Sequence, residues 1–510
     1  MEIDSQKLPG NVAGCHALIA ELVQELDVRD RRVRQLQHQL EQLLRWRYGQ
    51  KRERVDENQM FFEALTMVSA GEAPQDQPDP PTQPPAIRQK GHGRRQLPAN
   101  LPRKRVVYDV PPEQRHCPHC PETLQHIGEE VSERLEYVPA RLSVIEEACQ
   151  KYACPKGCTV VTAGKPMAPI EKGLPGPGLL AQVAVSKYAD HLPLARQEGM
   201  FRRQGVELVR STMSDWMRRC AELTVPLYQL MKQRVLSSKA VQTDDIPVPV
   251  LDPELTRTRT GRIWSYVGDA DNPFTVYDYT PTREGAGPAK FLEPFAGYLQ
   301  ADAYAGYDAV YEDEERDITE VACWAHARRK FFEAQSSDLM RSMIMLAYVR
   351  LLYDVEREAK VKGFTGEARR AMRQQKSLPV LTDIEAYLRR EQLHVLPKSP
   401  IAEAIGYALG NWPALLRYCE DGDLEIDNNG AERSLRGIAV GRRNWMFYGS
   451  DNGGHTAAVL TSLTATCKRL HIDPFTYLRD IFEHISAHPA KRLAELLPDQ
   501  WKLAHQSDTS

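Results

Sequence analysis

The chain has 510 residues, of which 42% are hydrophobic and 26% charged, and its formal net charge is -3 at pH 7. At roughly 100–200 residues per domain, this length predicts about three domains or more, and the apolar content excludes a chain that is disordered throughout. No stretch approaches the roughly 20 consecutive apolar residues of a membrane span. The first residues, MEIDSQKLPGNVAG, lack the basic flank and apolar run of a secretory signal. We therefore expect a cytoplasmic protein with no membrane partner.

Residues 17–55 contain no proline and show a heptad pattern. A seven-residue apolar repeat buries one stripe of a helix against a second helix, so the pattern predicts a short coiled coil and self-association. An amphipathic helix packed on its own chain is the alternative. The apolar positions are Ile19, Leu22, Leu26, Val33, Leu36, Leu40 and Leu43.

Residues 71–105 change from a proline-rich stretch to a basic one that includes Arg94 and Arg95. Such a composition cannot bury a core, and we expect an extended linker. Its basic half could lie along a phosphate backbone, and a solvated positive linker is an equal alternative.

Two cysteine pairs follow, Cys117 with Cys120 and Cys154 with Cys158. Clustered cysteines in a large cytosolic chain favour metal ligation over disulfides, and four thiolates satisfy a structural Zn²⁺. The second pair has three intervening residues instead of two. His116 or His119 could replace one cysteine, and incidental buried cysteines are the alternative to zinc.

Residues 176–235 predict three helices, the third beginning at Ser211 or Thr212 as the N-cap. Two short helices, a turn at Gly205 and a third helix resemble a helix-turn-helix, although helical hairpins without DNA contacts are common.

From residue 240 the pattern changes to strands, with five segments up to residue 325 and a helix near 287–295. Three consecutive strands followed by a helix and further strands predict a mixed sheet that changes from antiparallel to parallel pairing. Residues 326–420 and 454–500 are helical in pattern.

Three acidic residues occupy positions where a carboxylate is costly. Asp244 lies within an apolar strand, Asp302 ends another, and Glu432 lies in a helix that Asp427, Asn428 and Asn429 could cap. Three such carboxylates could hold two Mg²⁺ ions for phosphodiester chemistry. For any one of these acids taken alone, a cap, an edge charge or an ion-pair partner is the favoured interpretation. Asp245, on the opposite strand face, is a second candidate for the role of Asp244.

The chain resembles the insertion-sequence-66 family of bacterial transposases over nearly its whole length. Its matching stretches include TDDIPVPVL (243–251), GYLQADAYAGYDA (297–309), CWAHARRKFFEA (323–334) and EIDNNGAERSLRGIAVGRRNWMFYGS (425–450). The resemblance implies that Asp244, Asp302 and Glu432 are the catalytic acids and bind Mg²⁺ or Mn²⁺. The fold expected from it is multidomain α+β, with a ribonuclease-H-like core. The implied domains are a coiled-coil helix (1–70), a linker (71–105), a zinc-binding module (106–170), a helical DNA-binding region (171–238), a catalytic core (239–453) with a helical insertion at about 335–420, and a C-terminal helical domain (454–510).

The resemblance makes DNA the expected partner, with possible accessory proteins encoded by the same element. His326 could contact DNA or be a hydrogen-bonded core residue. Trp445, Phe447 and Tyr448 could stack on an exposed base, although core positions are favoured for them. The predicted activity is DNA cleavage and strand transfer, and a catalytically silent DNA-binding regulator is the alternative. The expected DNA-binding residues are Arg94, Arg95, Arg328, Arg329, Arg433, Arg436, Arg442 and Arg443.

Overall fold

The computed structural model describes residues 142–153, 160–162, 168–170, 174–313 and 315–506. These belong to two compact units, which divide near residue 163. The predicted coiled coil, the linker with Arg94 and Arg95, and the four zinc-ligand candidates Cys117, Cys120, Cys154 and Cys158 lie outside the described residues. In the smaller unit, β1 (Lys151–Ala153) pairs antiparallel with β2 (Val160–Thr162).

The larger unit is built on a five-stranded mixed sheet in the order β5-β4-β3-β6-β7. β3 and β4, and β4 and β5, pair antiparallel, whereas β3 with β6 and β6 with β7 are parallel. Short connections allow antiparallel neighbours, and the longer connection through a helix brings β6 parallel to β3. The predicted change of strand direction is therefore confirmed. The strands are β3 (Ala240–Val250), β4 (Arg259–Val267), β5 (Thr275–Thr280), β6 (Gly297–Ala301) and β7 (Ile318–Ala322).

Fourteen α-helices occur among the described residues. The first three precede the sheet, the next two connect its strands, the sixth follows β7, and the rest follow in chain order. They are α1 (Pro177–Tyr188), α2 (Leu194–Arg203), α3 (Arg210–Leu236), α4 (Ala286–Phe291), α5 (Asp308–Tyr311), α6 (Trp324–Glu333), α7 (Leu339–Val361), α8 (Gly366–Gln392), α9 (Pro400–Gly410), α10 (Trp412–Leu416), α11 (Asn429–Trp445), α12 (Asp451–Arg469), α13 (Pro474–His484) and α14 (Pro498–Gln506).

The start of α3 differs from the prediction. The helix begins at Arg210, and Val209, in extended conformation, is the N-cap without a side-chain hydrogen bond. Ser211 and Thr212 therefore lie inside the first turn. Asp215, in the second turn, forms ion pairs with Arg218 and Arg219.

Helices cover both faces of the sheet. On one face, Ser434 of α11 hydrogen-bonds to Ser265 of β4 at 2.7 Å, and Ser462 of α12 accepts the N–H of Tyr277 of β5. On the other face, the Tyr307 hydroxyl lies 3.0 Å from the Thr243 hydroxyl of β3. The central strand β3 is thus packed on both sides, which limits the movement of any side chain it carries.

Helices α7 to α10 continue the core beyond β7. The Trp324 indole donates to the Leu415 carbonyl at 2.9 Å and packs edge-on against Trp412. Arg373, fully buried, forms an ion pair with Glu356 at 2.7 Å and donates to the Tyr418 carbonyl. A buried guanidinium needs such a set of acceptors, and this one joins α7, α8 and the segment after α10. Within the described residues, no helix combines the length and the apolar character needed to cross a membrane.

Candidate active site

The parallel pairing of β3 and β6 leads into two of the predicted acids. Gln242 of β3 lies opposite Gln300 of β6 in the last pair of the register, and Asp244 and Asp302 each follow two residues later, Asp302 just beyond the end of β6. Neighbouring strands are about 4.8 Å apart, and the charge of Asp302 acts on Asp244. Glu432 enters from above this face, in the first turn of α11.

Electrostatic coupling joins the three carboxylates. The pKa of Asp244 is raised to about 7, mainly by burial and then by the charges of Asp302, Glu432 and Asp245, whereas a hydrogen bond from the Asp245 N–H lowers it. Burial also raises the pKa of Asp302, as do the charges of Asp245 and Glu432, whereas His326 and Arg283 lower it. A concentration of negative charge of this kind is costly to bury without a cation.

Glu432 carries a buried oxygen with no hydrogen bond. Its Oε1 is an unpaired acceptor among the side chains that the structure describes, and the nearest histidine nitrogen, Nε2 of His326, lies 3.7 Å away. Buried polar atoms in native proteins are normally paired, so this carboxylate oxygen is free to accept from a water or to bind an ion.

Two glutamines hold the segment before α11 against the sheet. The side-chain amide of Gln242 donates to Gln300 at 3.0 Å and to the Asp427 carbonyl at 3.1 Å. Gln300 donates to the Glu425 carbonyl at 2.7 Å. These contacts fix the point from which α11 presents Glu432. Our sequence reasoning missed both glutamines, although each stands two residues before an acid in its strand (Gln242 before Asp244, Gln300 before Asp302) and so shares its face.

Gly430, in the first turn of α11, lies against the side chain of Gln242. A Cβ atom on Gly430 would overlap the Oε1 atom of Gln242. A larger residue at this position would therefore displace the Gln242 side chain, which bonds Gln300 and the Asp427 carbonyl.

The predicted capping differs in detail. Asn428 is the N-cap, but its side-chain amide donates to the Thr243 carbonyl at 3.3 Å and does not cap the helix. Asp427 accepts from the Asn429 N–H at 3.1 Å.

Asp245 points to the opposite side of β3 from Asp244 and is neutralised there. Its Oδ2 accepts from Arg262 at 2.7 Å and its Oδ1 from Arg283 at 3.0 Å, and only 3% of the side chain is exposed. Arg283 in turn stacks on the Tyr304 ring at 3.9 Å. Both oxygens of Asp245 are therefore used in ion pairs, which distinguishes it from Asp244.

Cys323, His326 and Glu432 form a further cluster, in which one ligand atom of each residue lies within 4.8 Å of the others. Burial raises the pKa of Cys323 to about 12, so the thiol stays protonated, and its sulfur accepts the Asn428 N–H at 3.4 Å. Burial lowers the pKa of His326, against the charges of Glu432 and Asp302. A hard cation such as Mg²⁺ prefers the carboxylates of this region to a protonated thiol.

The basic residues predicted to bind DNA take different positions. Arg433, Arg436 and Arg443 of α11 are exposed, as is Arg329 of α6, and Arg328 is half-buried. Arg442 donates to the Pro247 carbonyl at 2.5 Å, so part of its guanidinium joins α11 to β3.

Family models match most of the chain. The model of the Transposase IS66 family covers residues 172–456, and that of the IS66 C-terminal element covers residues 462–498. The zinc-finger binding domain of transposase IS66 matches residues 114–157, which include Cys117, Cys120 and Cys154 and end one residue before Cys158. A model described as Transposase C of IS166 homeodomain matches residues 35–106.

The class of protein that these matches define is the transposase of a bacterial insertion sequence. The first model alone covers more than half of the 510 residues. The chain belongs to the IS66 family of transposases, which confirms the resemblance in its sequence.

Two curated relatives from Sinorhizobium fredii (strain NBRC 101917 / NGR234) are similar over most of their length. Uncharacterized protein y4hP is 35% identical over 435 residues, which cover 81% of this chain and 77% of the relative. Uncharacterized protein y4jD is 34% identical over 446 residues, which cover 82% and 86%.

Proposed function

We propose that the protein cleaves the ends of its insertion sequence and transfers the resulting 3′-hydroxyl strands to target DNA. The observation that carries this proposal is the convergence of Asp302 and Glu432 on Asp244, a partly buried carboxyl group whose pKa is raised to about 7 by burial and by their charges. This cluster lies inside the range that matches the IS66 transposase model. The three acids are proposed as the catalytic residues.

A ribonuclease-H-like core is part of the proposal. Its support is the sheet order β5-β4-β3-β6-β7, with three antiparallel strands joined to two parallel ones. The acids lie on the central strand, at the end of its parallel neighbour and on a helix that crosses them. Helices α7 to α10 stand between the second and third acids in the chain and form the proposed insertion.

The acidic cluster fits a pair of hard divalent cations, Mg²⁺ or Mn²⁺. Asp244, Asp302 and Glu432 would hold the ions, since all three offer oxygen ligands and Glu432 Oε1 has no hydrogen bond. Such ions, when bound, activate a water or hydroxyl nucleophile and stabilise the leaving oxygen in phosphodiester chemistry. The protein's own contribution is to hold the carboxylates through β3, β6 and the glutamine contacts to the segment before α11.

The remaining assignments follow the same reading. Structural Zn²⁺ is proposed at Cys117, Cys120, Cys154 and Cys158, with support from the zinc-finger match. The domain boundaries predicted from the sequence are retained, with coiled-coil self-association through residues 1–70 and accessory proteins of the same element as further partners. Charge-assisted hydrogen bonds to phosphates are proposed for the predicted arginines. They are Arg94, Arg95, Arg328, Arg329, Arg433, Arg436, Arg442 and Arg443.

The function is tested on a donor plasmid that carries the gene within its native flanking DNA, together with any accessory genes of the element. Primer extension maps the 3′ ends at both element boundaries. We expect nicks with the unmodified protein and none with Glu432→Gln, because the amide cannot supply the charge of the carboxylate. Glu425→Gln is the matched control, since Glu425 is exposed and its side chain forms an ion pair with Arg369 at 3.1 Å.

Two outcomes would count against this proposal. Nicks that persist in Glu432→Gln at the level of the control would refute the assigned glutamate. No nicks with the unmodified protein, when all genes of the element are present, would favour a DNA-binding regulator without catalysis.

A second prediction concerns His326, which we expect to act as a positioning residue for Glu432. His326→Ala should lower the cleavage rate about tenfold to a hundredfold, the range for losing a residue that orients a metal ligand, and should raise the magnesium concentration required. The reason is the 3.7 Å approach of Nε2 to Glu432 Oε1. His394→Ala is the control, because His394 is exposed just after α8 and its Nδ1 lies 2.9 Å from the Arg390 carbonyl of that helix. An unchanged magnesium requirement would assign His326 a purely structural role.

A further inference from the structure

The chain makes a strained turn where α11 ends. Met446 has φ 66° and ψ -49°, and the N–H of Phe447 donates to the Trp445 carbonyl at 2.8 Å. Together these are the geometry of a γ-turn with positive φ, which is rare and costly for a residue with a side chain. Strain of this kind persists only where the surroundings enforce it.

The surroundings here are the end of the central strand. The Tyr448 N–H donates to the Pro249 carbonyl at 2.9 Å, and the Leu251 N–H donates to the Tyr448 carbonyl at 2.8 Å. Tyr448 is buried and stacks on Trp445, with ring centroids 4.6 Å apart. The turn is therefore clamped between β3, which carries Asp244, and α11, which carries Glu432.

Two apolar side chains of this turn are exposed to solvent. Met446 is 65% exposed and Phe447 is 39% exposed. The expectation of a core position thus holds for Tyr448, whereas Trp445 is only partly buried. It is wrong for Phe447, because the γ-turn reverses the direction of the chain after the helix. The turn therefore presents two apolar side chains, Met446 and Phe447, to solvent on a backbone held by hydrogen bonds to β3. We call these two residues the wedge.

A basic stripe connects this turn to the acidic cluster. At about 100° per residue, Arg436 and Arg443 lie within about 40° of Glu432 around α11, and both are exposed. The helix from Glu432 to Trp445 is about 20 Å long at roughly 1.5 Å per residue. A DNA strand that follows the stripe covers about six nucleotides at roughly 3.4 Å each.

We propose that Met446 and Phe447 form a wedge that inserts between DNA bases about six base pairs from the cleaved phosphate. This inference rests on the proposed function and extends it by assigning a site of DNA distortion. Positively charged residues beside exposed apolar side chains are complementary to nucleic acid, in which charged phosphates lie next to the apolar faces of the bases. The two arginines contact the backbone, and the Phe447 ring stacks on an unpaired base. The turn is joined to β3 and α11, which carry Asp244 and Glu432. DNA that is distorted at the turn would therefore have its scissile phosphate placed at the acidic cluster.

The test uses duplex oligonucleotides of the mapped element boundary, with 2-aminopurine placed singly from about three to about nine base pairs from the cut. With the unmodified full-length protein, we expect fluorescence to rise at one or two adjacent positions as the base unstacks. Phe447→Ala should abolish the rise and slow cleavage about fivefold to a hundredfold, the effect of losing one base–aromatic stack. A duplex with a mismatch at that position should restore the rate of Phe447→Ala.

Two further variants separate the wedge from effects on folding. Met446→Gly keeps the turn, because glycine adopts positive φ without strain, and should weaken the fluorescence rise. Val440→Ala, an exposed apolar change on α11 that lies away from the turn, should leave both signals unchanged. Cleavage by the unmodified protein without any fluorescence rise, or a Phe447→Ala protein that matches it in both signals, overturns the wedge and leaves the transposase function intact. Absence of cleavage by the unmodified protein refutes the proposed function itself, and the wedge with it.

Discussion

Asp302→Asn should abolish cleavage at the element ends and leave DNA affinity nearly unchanged. Asparagine preserves the shape of the side chain beyond β6 but removes the negative charge that acts on Asp244. We expect the rate to fall by about 10²- to 10³-fold, the scale on which losing one electrostatic contact to a transition state reduces turnover. Binding should persist because the exposed arginines of α6 and α11 are untouched.

The measurement is a time course of strand cleavage on labelled boundary duplexes, with affinity followed by fluorescence anisotropy on the same DNA. Asp308→Asn is the matched control, since Asp308 is an exposed aspartate six residues further along the chain. Cleavage by Asp302→Asn at the control rate would remove Asp302 from the site. Loss of binding along with cleavage would indicate a misfolded protein or a role in holding DNA.

Asp245→Asn should destabilise the protein, whereas Asp244→Asn should not. Asp245 is 3% exposed and ion-paired with Arg262 and Arg283, so its replacement leaves two guanidinium groups without their carboxylate. We expect a loss of about 2–3 kcal/mol, below the roughly 3–5 kcal/mol of a fully buried pair, because Arg283 is 40% exposed and solvent screens part of the interaction. Urea denaturation followed by circular dichroism measures the difference.

Asp244→Asn, the matched neighbour, should show the opposite sign and a pH dependence. The folded-state pKa of Asp244 is about 7, above the ordinary 3.8. An acid with a raised folded-state pKa weakens the fold as pH increases from the unfolded to the folded value. In magnesium-free buffer the advantage of Asp244→Asn over the unmodified protein should therefore grow from about pH 4 to about pH 7 and then level off.

Added magnesium should reduce that advantage, because only the unmodified protein has all three carboxylates available for the ion. Equal destabilisation by the two asparagine variants would contradict the distinction between the two faces of β3. A constant difference between Asp244→Asn and the unmodified protein across this pH range would contradict the charge coupling at Asp244.

Much of the fold could be predicted from local sequence patterns. The strands around Asp244 and Asp302 and the helix of Glu432 were visible in the sequence because burial on a sheet repeats every second residue and burial on a helix about every 3.6. The mixed sheet followed from short connections between the first strands and a helical crossover before the fourth. The predicted start of α3 was wrong. Ser211 and Thr212 are residue types that favour an N-cap, but the chain is extended at Val209, which makes Val209 the N-cap and Arg210 the first helical residue.

The candidate site was predictable only in part. Alternation assigned Asp244 and Asp245 to opposite faces, but sequence could not identify Arg262 and Arg283 as the partners of Asp245, because they lie 17 and 38 residues away. The hydrogen bonds of Gln242 and Gln300 depend on the parallel register of β3 and β6, which the sequence does not show. Glu432 is separated from the two strands by helices α7 to α10, so its position beside Asp244 was not visible in the sequence either.

The sequence by itself determined the family of this protein, the residue types of its acidic cluster and the strands and helix that carry them. Motif order and hydrophobic period are properties of neighbouring residues, and these can be seen along one chain. Only the tertiary structure decided which aspartate faces Glu432, and only it revealed the exposed turn at Met446 and Phe447. Both depend on packing between β3 and α11, elements separated by nearly 180 residues, and on backbone strain that no local pattern encodes.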